Sequence, residues 1–181
     1  MDLFSHYLLG KFSSKINYFE GKILALGTLV GAIIPDVGEI FIQVALSRKY
    51  NEPFGVYDER TSDIDIASDL SVTWVYDLSH SIPFIAFIIL LAYFIRNESA
   101  KKILYGFSLG LSTHLLLDFC THGHVWALKL LFPFHNHRYK IFADSIGNWW
   151  DWQPKVEFPL INMEFPIYCI LLWIILIVAI F

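Results

Sequence analysis

The sequence predicts an all-α integral membrane protein, a helical bundle with about four transmembrane or membrane-embedded helices. Three observations predict it. Hydrophobic residues make up 56% of the 181 residues and charged residues only 17%, against about 45–50% and 25% in soluble domains. The mean hydropathy is +0.52, and a soluble domain of this size could not bury that much apolar surface. The apolar residues come in long runs without the two-residue alternation of half-buried strands, and only closed helices or barrels satisfy the backbone in lipid. The length suits one domain, residues 1–181. The net charge of −4 gives no basic field for nucleic acid, and none is expected as a partner.

The segment from Met1 to Lys22 reads as an amphipathic helix with a loop, and carries His6. Its apolar part is too short for a signal peptide, and no small-residue cleavage site follows. The first long apolar stretch runs from Ile23 to Leu46 and is interrupted by Pro35, Asp36 and Glu39. Proline there is expected to open the helix locally. The polar, acidic connection from Ser47 to Asp77 is expected to be a loop with a short helix. A second apolar stretch covers Val72 to Ile95, a third Ile103 to Cys120, and a fourth Phe165 to Phe181. Each approaches the roughly 20 residues that a crossing helix needs. Gly27 with Gly31, and Gly106 with Gly110, form pairs four residues apart, which let helix backbones approach closely in lipid. Between His122 and Glu164, Trp149, Trp150 and Trp152 suit either the membrane–water boundary or a small extramembrane core.

Lys11, Lys15 and Lys22 fall on one side with Arg96, Lys101 and Lys102 if the first stretch spans. The excess of positive charge marks that side as cytoplasmic. His80, His114 and Asp118 then lie together near the outer face. His114 and Asp118 are four apart and share one face of a helix, so that imidazole and carboxylate can grip one ion. Such nitrogen and oxygen ligands suit zinc, and also manganese or iron. Asp36, in an apolar run, should face protein and meet a cation, or else cap a helix end. His6 is either a ligand or an interfacial side chain. His122 and His124, and His135 and His137, form alternating pairs after the third stretch. One or two of them could be ligands, and one could be a general acid. Asp144 reads as loop surface, and Cys120 and Cys169 as apolar filler, for they have no metal-site spacing.

In order along the chain stand His6, Gly31-Ala32-Ile33-Ile34-Pro35-Asp36, Ser79-His80-Ser81, Gly110-Leu111-Ser112-Thr113-His114-Leu115-Leu116-Leu117-Asp118, Thr121-His122-Gly123 and Leu131-Phe132-Pro133-Phe134. This order resembles the membrane-bound metal-dependent hydrolases, a family described as LexA-binding, inner-membrane-associated hydrolases. It is more distantly similar to the zinc-dependent phospholipases C. The resemblance spans roughly Met1 to Phe134. It implies that Asp36, His80, His114 and Asp118 hold one metal ion, and that His6 holds a second with Asp118 bridging. It also implies a prokaryotic inner membrane. The chain departs from the phospholipases in having Met1 where they have a tryptophan ligand, and in having membrane spans.

Together these readings predict a membrane-bound metal-dependent hydrolase with one or two divalent ions, most suitably zinc. It would act on a phosphoester or a lipid-type substrate through an activated water, with membrane lipid as its partner and His122 or His124 protonating the leaving group. The alternatives are a non-enzymatic membrane protein with a structural metal, and a small ion transporter using the buried acids.

Overall fold

The computed structural model describes residues 3–17, 21–50, 70–121, 127–139, 155–158 and 163–180. They form helices α1 (Leu3–Asn17), α2 (Lys22–Tyr50), α3 (Leu70–Ser79), α4 (Ile82–Phe94), α5 (Glu98–Thr121) and α6 (Ile167–Ile180). Strands β1 (Lys155–Phe158) and β2 (Met163–Pro166) make a two-stranded antiparallel ribbon that pairs Lys155 with Pro166 and Phe158 with Met163. The helical class predicted from composition is what the chain adopts. The ribbon is an addition, on strands four residues long, too short to show a period in the sequence.

Two elements differ from expectation. The first apolar stretch is not broken: α2 runs continuously through Pro35, which is almost fully buried. The second stretch is broken. Pro83 lies in the first turn of α4, and in a continuous helix its ring would meet the carbonyl of Ser79. The chain therefore stops α3 at Ser79 and restarts, with an angle of 60° between the two segments. Ser81 caps the restart: its Oγ accepts from the Phe84 N–H at 3.4 Å and donates to the Leu78 carbonyl at 2.8 Å. His80 sits in the elbow, between the two helices rather than at the end of one. Asn97 opens α5 in a similar way, with Oδ1 accepting from the Ala100 N–H at 3.0 Å.

Among the described residues, Glu98–Cys120 is long and apolar enough to cross a membrane unbent, and the α3–α4 pair would be a second, bent span. Ile170–Ile180 is apolar but shorter. Large apolar side chains remain exposed on these helices, among them Phe87, Leu90, Phe94, Leu116 and Val178, as lipid-facing surfaces require.

Helices α2 and α5 touch at backbone distance, through the two glycine pairs. A Cβ on Gly27 would lie 2.3 Å from the Ile103 carbonyl, and one on Gly31 2.1 Å from that of Phe107. From the other side, Gly106 and Gly110 would meet the Leu24 and Thr28 carbonyls at 2.2 and 2.1 Å. Both pairs are thus a single interdigitated seam, and it sets Asp36 of α2 beside His114 of α5. Against α5 packs α4, around Ile85, Ile88, Leu111 and Leu115, with Leu128 closing the cluster.

Helix α1 is held from behind by α6. Leu8 packs on Leu176 and Ile180. The Trp173 indole N–H donates to Ser5 Oγ at 2.8 Å. Lys15 Nζ donates to the Ile180 carbonyl at 2.5 Å, answering one of the orphan acceptors at the α6 C-terminus. These contacts fix the face of α1 that carries His6.

Candidate metal centre

Each of four elements brings one or two polar side chains to one buried point. His6 comes from α1, Asp36 from α2, His80 from the elbow, and His114 and Asp118 from adjacent turns of α5. His6, His80, His114 and Asp118 are each 1% exposed, and the Asp36 side chain 11%. His6, Asp36, His114 and Asp118 each offer a ligand atom, and these lie within 4.8 Å of one another. His80 joins them through Nε2, which is 2.9 Å from His114 Nε2 and 3.2 Å from Asp118 Oδ2.

Hydrogen bonding fixes the tautomers of two of the histidines. His80 Nδ1 lies 2.9 Å from the Tyr76 carbonyl, and His114 Nδ1 lies 2.8 Å from the Ala32 carbonyl. A carbonyl oxygen only accepts, so each Nδ1 carries the proton. In a neutral imidazole the lone pair is then on Nε2. The Nε2 atoms of His80 and His114 face each other, and both face Asp118 Oδ2 at 3.2 and 3.1 Å. Three ligand atoms thus form a triangle with edges of 2.9 to 3.2 Å. Metal–nitrogen and metal–oxygen bonds of about 2.0–2.1 Å in a tetrahedral site set their ligand atoms roughly 3.3–3.4 Å apart, slightly wider than the 2.9 to 3.2 Å edges of this triangle.

Asp118 faces two ways. Its Oδ2 belongs to the triangle, while Oδ1 lies 2.9 Å from His6 Nε2. The His6 ring stacks on that of His114, with centroids 3.8 Å apart. Asp36 Oδ1 stands 3.6 Å from His114 Nε2, beyond a hydrogen bond but within reach of a shared ion. Asp36 Oδ2 and His6 Nδ1 are buried and have no hydrogen-bond partner among the described residues. The unpartnered Asp36 oxygen beside this triangle, with His6 facing Asp118 through Nε2, fits a divalent cation held by nitrogen and oxygen donors. The outer contacts suit this too: carbonyls of Tyr76 and Ala32 orient His80 and His114, the usual outer support of metal-binding imidazoles.

All five residues expected as ligands are brought together: His6, Asp36, His80, His114 and Asp118. His122 and His124, the expected proton donors, lie outside the described residues, as do Asp144 and the Trp149–Trp150–Trp152 cluster. His135 and His137 are exposed on the segment after α5 and contact each other and Tyr139. Cys120 is a half-buried free thiol. One feature escaped sequence reading. Lys129 Nζ donates to Asp77 Oδ2 at 2.6 Å, both side chains are almost fully buried, and Thr73 donates to the same oxygen at 3.0 Å. Its signal was a lone charge in each of two apolar runs, Asp77 before Leu78 and Lys129 between Leu128 and Leu130.

Compared with protein families, the whole chain, residues 1–181, matches the one described as YdjM inner membrane protein. The chain belongs to that family. Membership makes it a membrane protein and agrees with the exposed apolar faces of α4 and α5. No curated protein and no solved structure matches it.

Proposed function

We propose that this protein is a metal-dependent hydrolase of the membrane, acting on a phosphoester or lipid-type substrate. The observation that carries the reading is the buried cluster of ligand atoms: the triangle from His80, His114 and Asp118, with His6 and Asp36 grouped within 4.8 Å of His114 and Asp118. On this reading His80, His114, Asp118 and Asp36 hold one ion, and His6 with the second oxygen of Asp118 offers a place for another. Zinc suits the donor set best, with manganese or iron as alternatives. A divalent ion so held lowers the pKa of water towards neutrality and polarises the scissile group. Asp36, the least buried of the five, is the side on which water and substrate enter. His122 or His124, directly after α5, protonates the leaving group. The excess of Lys and Arg on the opposite side supports a site near the outer face.

The deep burial of the other four groups favours a second reading, in which the metal is structural and the protein is not an enzyme. One experiment separates the two. The purified protein is loaded with zinc or manganese and reconstituted in vesicles. Release of phosphate or headgroup is then followed over a panel of soluble phosphoesters and phospholipids. The hydrolase reading expects metal-dependent turnover that His80→Ala abolishes. Full metal loading without turnover on any of these substrates would leave the structural reading standing.

A further inference from the structure

Residues 127–139 fold back onto the elbow that carries His80. Leu128 is buried with Ile85, Leu111 and Leu115. Lys129 is pinned to Asp77. The Ile82 N–H donates to the Leu130 carbonyl at 2.9 Å. The segment closes on itself where the Tyr139 N–H donates to the Leu128 carbonyl at 2.8 Å and Arg138 donates to the Ala127 carbonyl at 2.8 Å. Between these anchors residues 130–134 make a tight turn, with Leu130 packed on the core cluster and residues 131, 133 and 134 exposed. Its tip is apolar: Phe134 is 84% exposed and Leu131 40%. Polar residues follow at once, with His135, Asn136 and His137 all exposed.

We propose that this turn is seated in the bilayer interface, with Phe134 and Leu131 among the upper acyl chains and residues 135–137 at the headgroups. Continuity argues for lipid as the occupant. The turn is hydrogen-bonded to Ile82, which is itself exposed and begins the apolar surface of α4. Trp74, on the other side of the elbow, is exposed as well, and tryptophan favours this depth. An apolar tip followed by polar groups is the pattern of an interfacial anchor, which reaches about 5–10 Å into the headgroup–acyl boundary. A rigid anchor loses little freedom on insertion, and the buried Lys129–Asp77 pair and the Leu128 contacts supply that rigidity. The seat lies next to the His80 elbow. On the hydrolase reading, it would present the site to lipid headgroups rather than to soluble esters.

The depth of the turn can be measured without reference to any metal or activity. Spin labels are placed at Phe134→Cys and, separately, at Leu131→Cys in a Cys120→Ser/Cys169→Ser background, reconstituted in phospholipid vesicles. Asn97→Cys serves as the aqueous reference and Leu90→Cys as the lipid reference. A seated turn gives both labels a ratio of oxygen to nickel-chelate collisions several-fold above that of Asn97 and approaching that of Leu90. A ratio equal to that of Asn97 at both positions would overturn the proposal. So would spin–spin broadening at both positions that persists from vesicles to detergent, since it would assign the tip to a second copy of the chain.

Discussion

Replacing Gly110 with alanine couples helix packing to the metal centre. The new methyl would lie 2.1 Å from the Thr28 carbonyl and 2.7 Å from the Ala32 nitrogen, both of them backbone. Neither can rotate away, so α2 and α5 must separate by about 1 Å before the contact is tolerable. Overpacking of this kind costs roughly 1–3 kcal/mol, and rigid backbone on both sides puts Gly110→Ala at the upper end. The same separation lengthens the bond from His114 Nδ1 to the Ala32 carbonyl, now 2.8 Å. It also carries Asp36 away from His114 Nε2, now 3.6 Å distant. Metal affinity should therefore fall by about 10–100-fold, the usual result of disturbing the outer support of a ligand. Gly27→Ala meets the Ile103 carbonyl at 2.3 Å on the same seam, one turn further from Asp36 along α2. It should cost similar stability and less affinity. Unfolding in mixed micelles and metal titration of both variants supply the two numbers. Equal losses of affinity in the two, or unchanged stability in Gly110→Ala, would refute the coupling.

Other expected outcomes follow from individual contacts. Lys129→Met leaves a buried Asp77 carboxylate with only the Thr73 hydroxyl, and should destabilise the protein by about 3–5 kcal/mol. Adding Asp77→Asn should recover most of that loss in the same unfolding assay, because the neutral pair has no unmatched charge. Trp173→Phe removes the donor to Ser5 while keeping the aromatic packing on Phe4. It should cost about 0.5–1.5 kcal/mol and weaken binding of a second metal equivalent, through His6, more than the first. Chelation should lower the thermal midpoint. A free metal concentration about 100-fold above its dissociation constant contributes roughly 2.7 kcal/mol, and Asp118→Asn should show little of that metal-dependent shift.

The sequence reveals the ligands more clearly than the path of the chain. His114 and Asp118 are legible because a four-residue spacing puts both on one helical face, and Asp36 because a charge in an apolar run needs a partner. The glycine seam is legible for a similar reason, as small residues at helical spacing mark close approach. The elbow is not. Val72 to Ile95 reads as one apolar run, and only the position of Pro83 after Ser81, a capping residue, signals the restart. Pro35 misleads in the opposite sense. Composition suggests a break, yet α2 tolerates the ring because neighbouring helices bury it. The Lys129–Asp77 pair left only a lone charge in each of two apolar runs, and with its partners 52 residues apart nothing matched one to the other. The α1–α6 clamp was hidden in the same way. Lys15 and Ile180 are 165 residues apart, and Ser5 and Trp173 168.

The most direct test of the metal centre is the metal content of detergent-purified protein after repletion with zinc, manganese and iron. Wild type would be measured beside His114→Ala and Asp118→Ala, with folding checked by circular dichroism. The geometry of His80, His114 and Asp118 predicts one or two transition-metal ions per wild-type chain, and loss of most of them in both folded variants. A folded wild type that stays metal-free after repletion would contradict the account, and would leave the buried histidines and carboxylates as interhelical hydrogen-bonding groups.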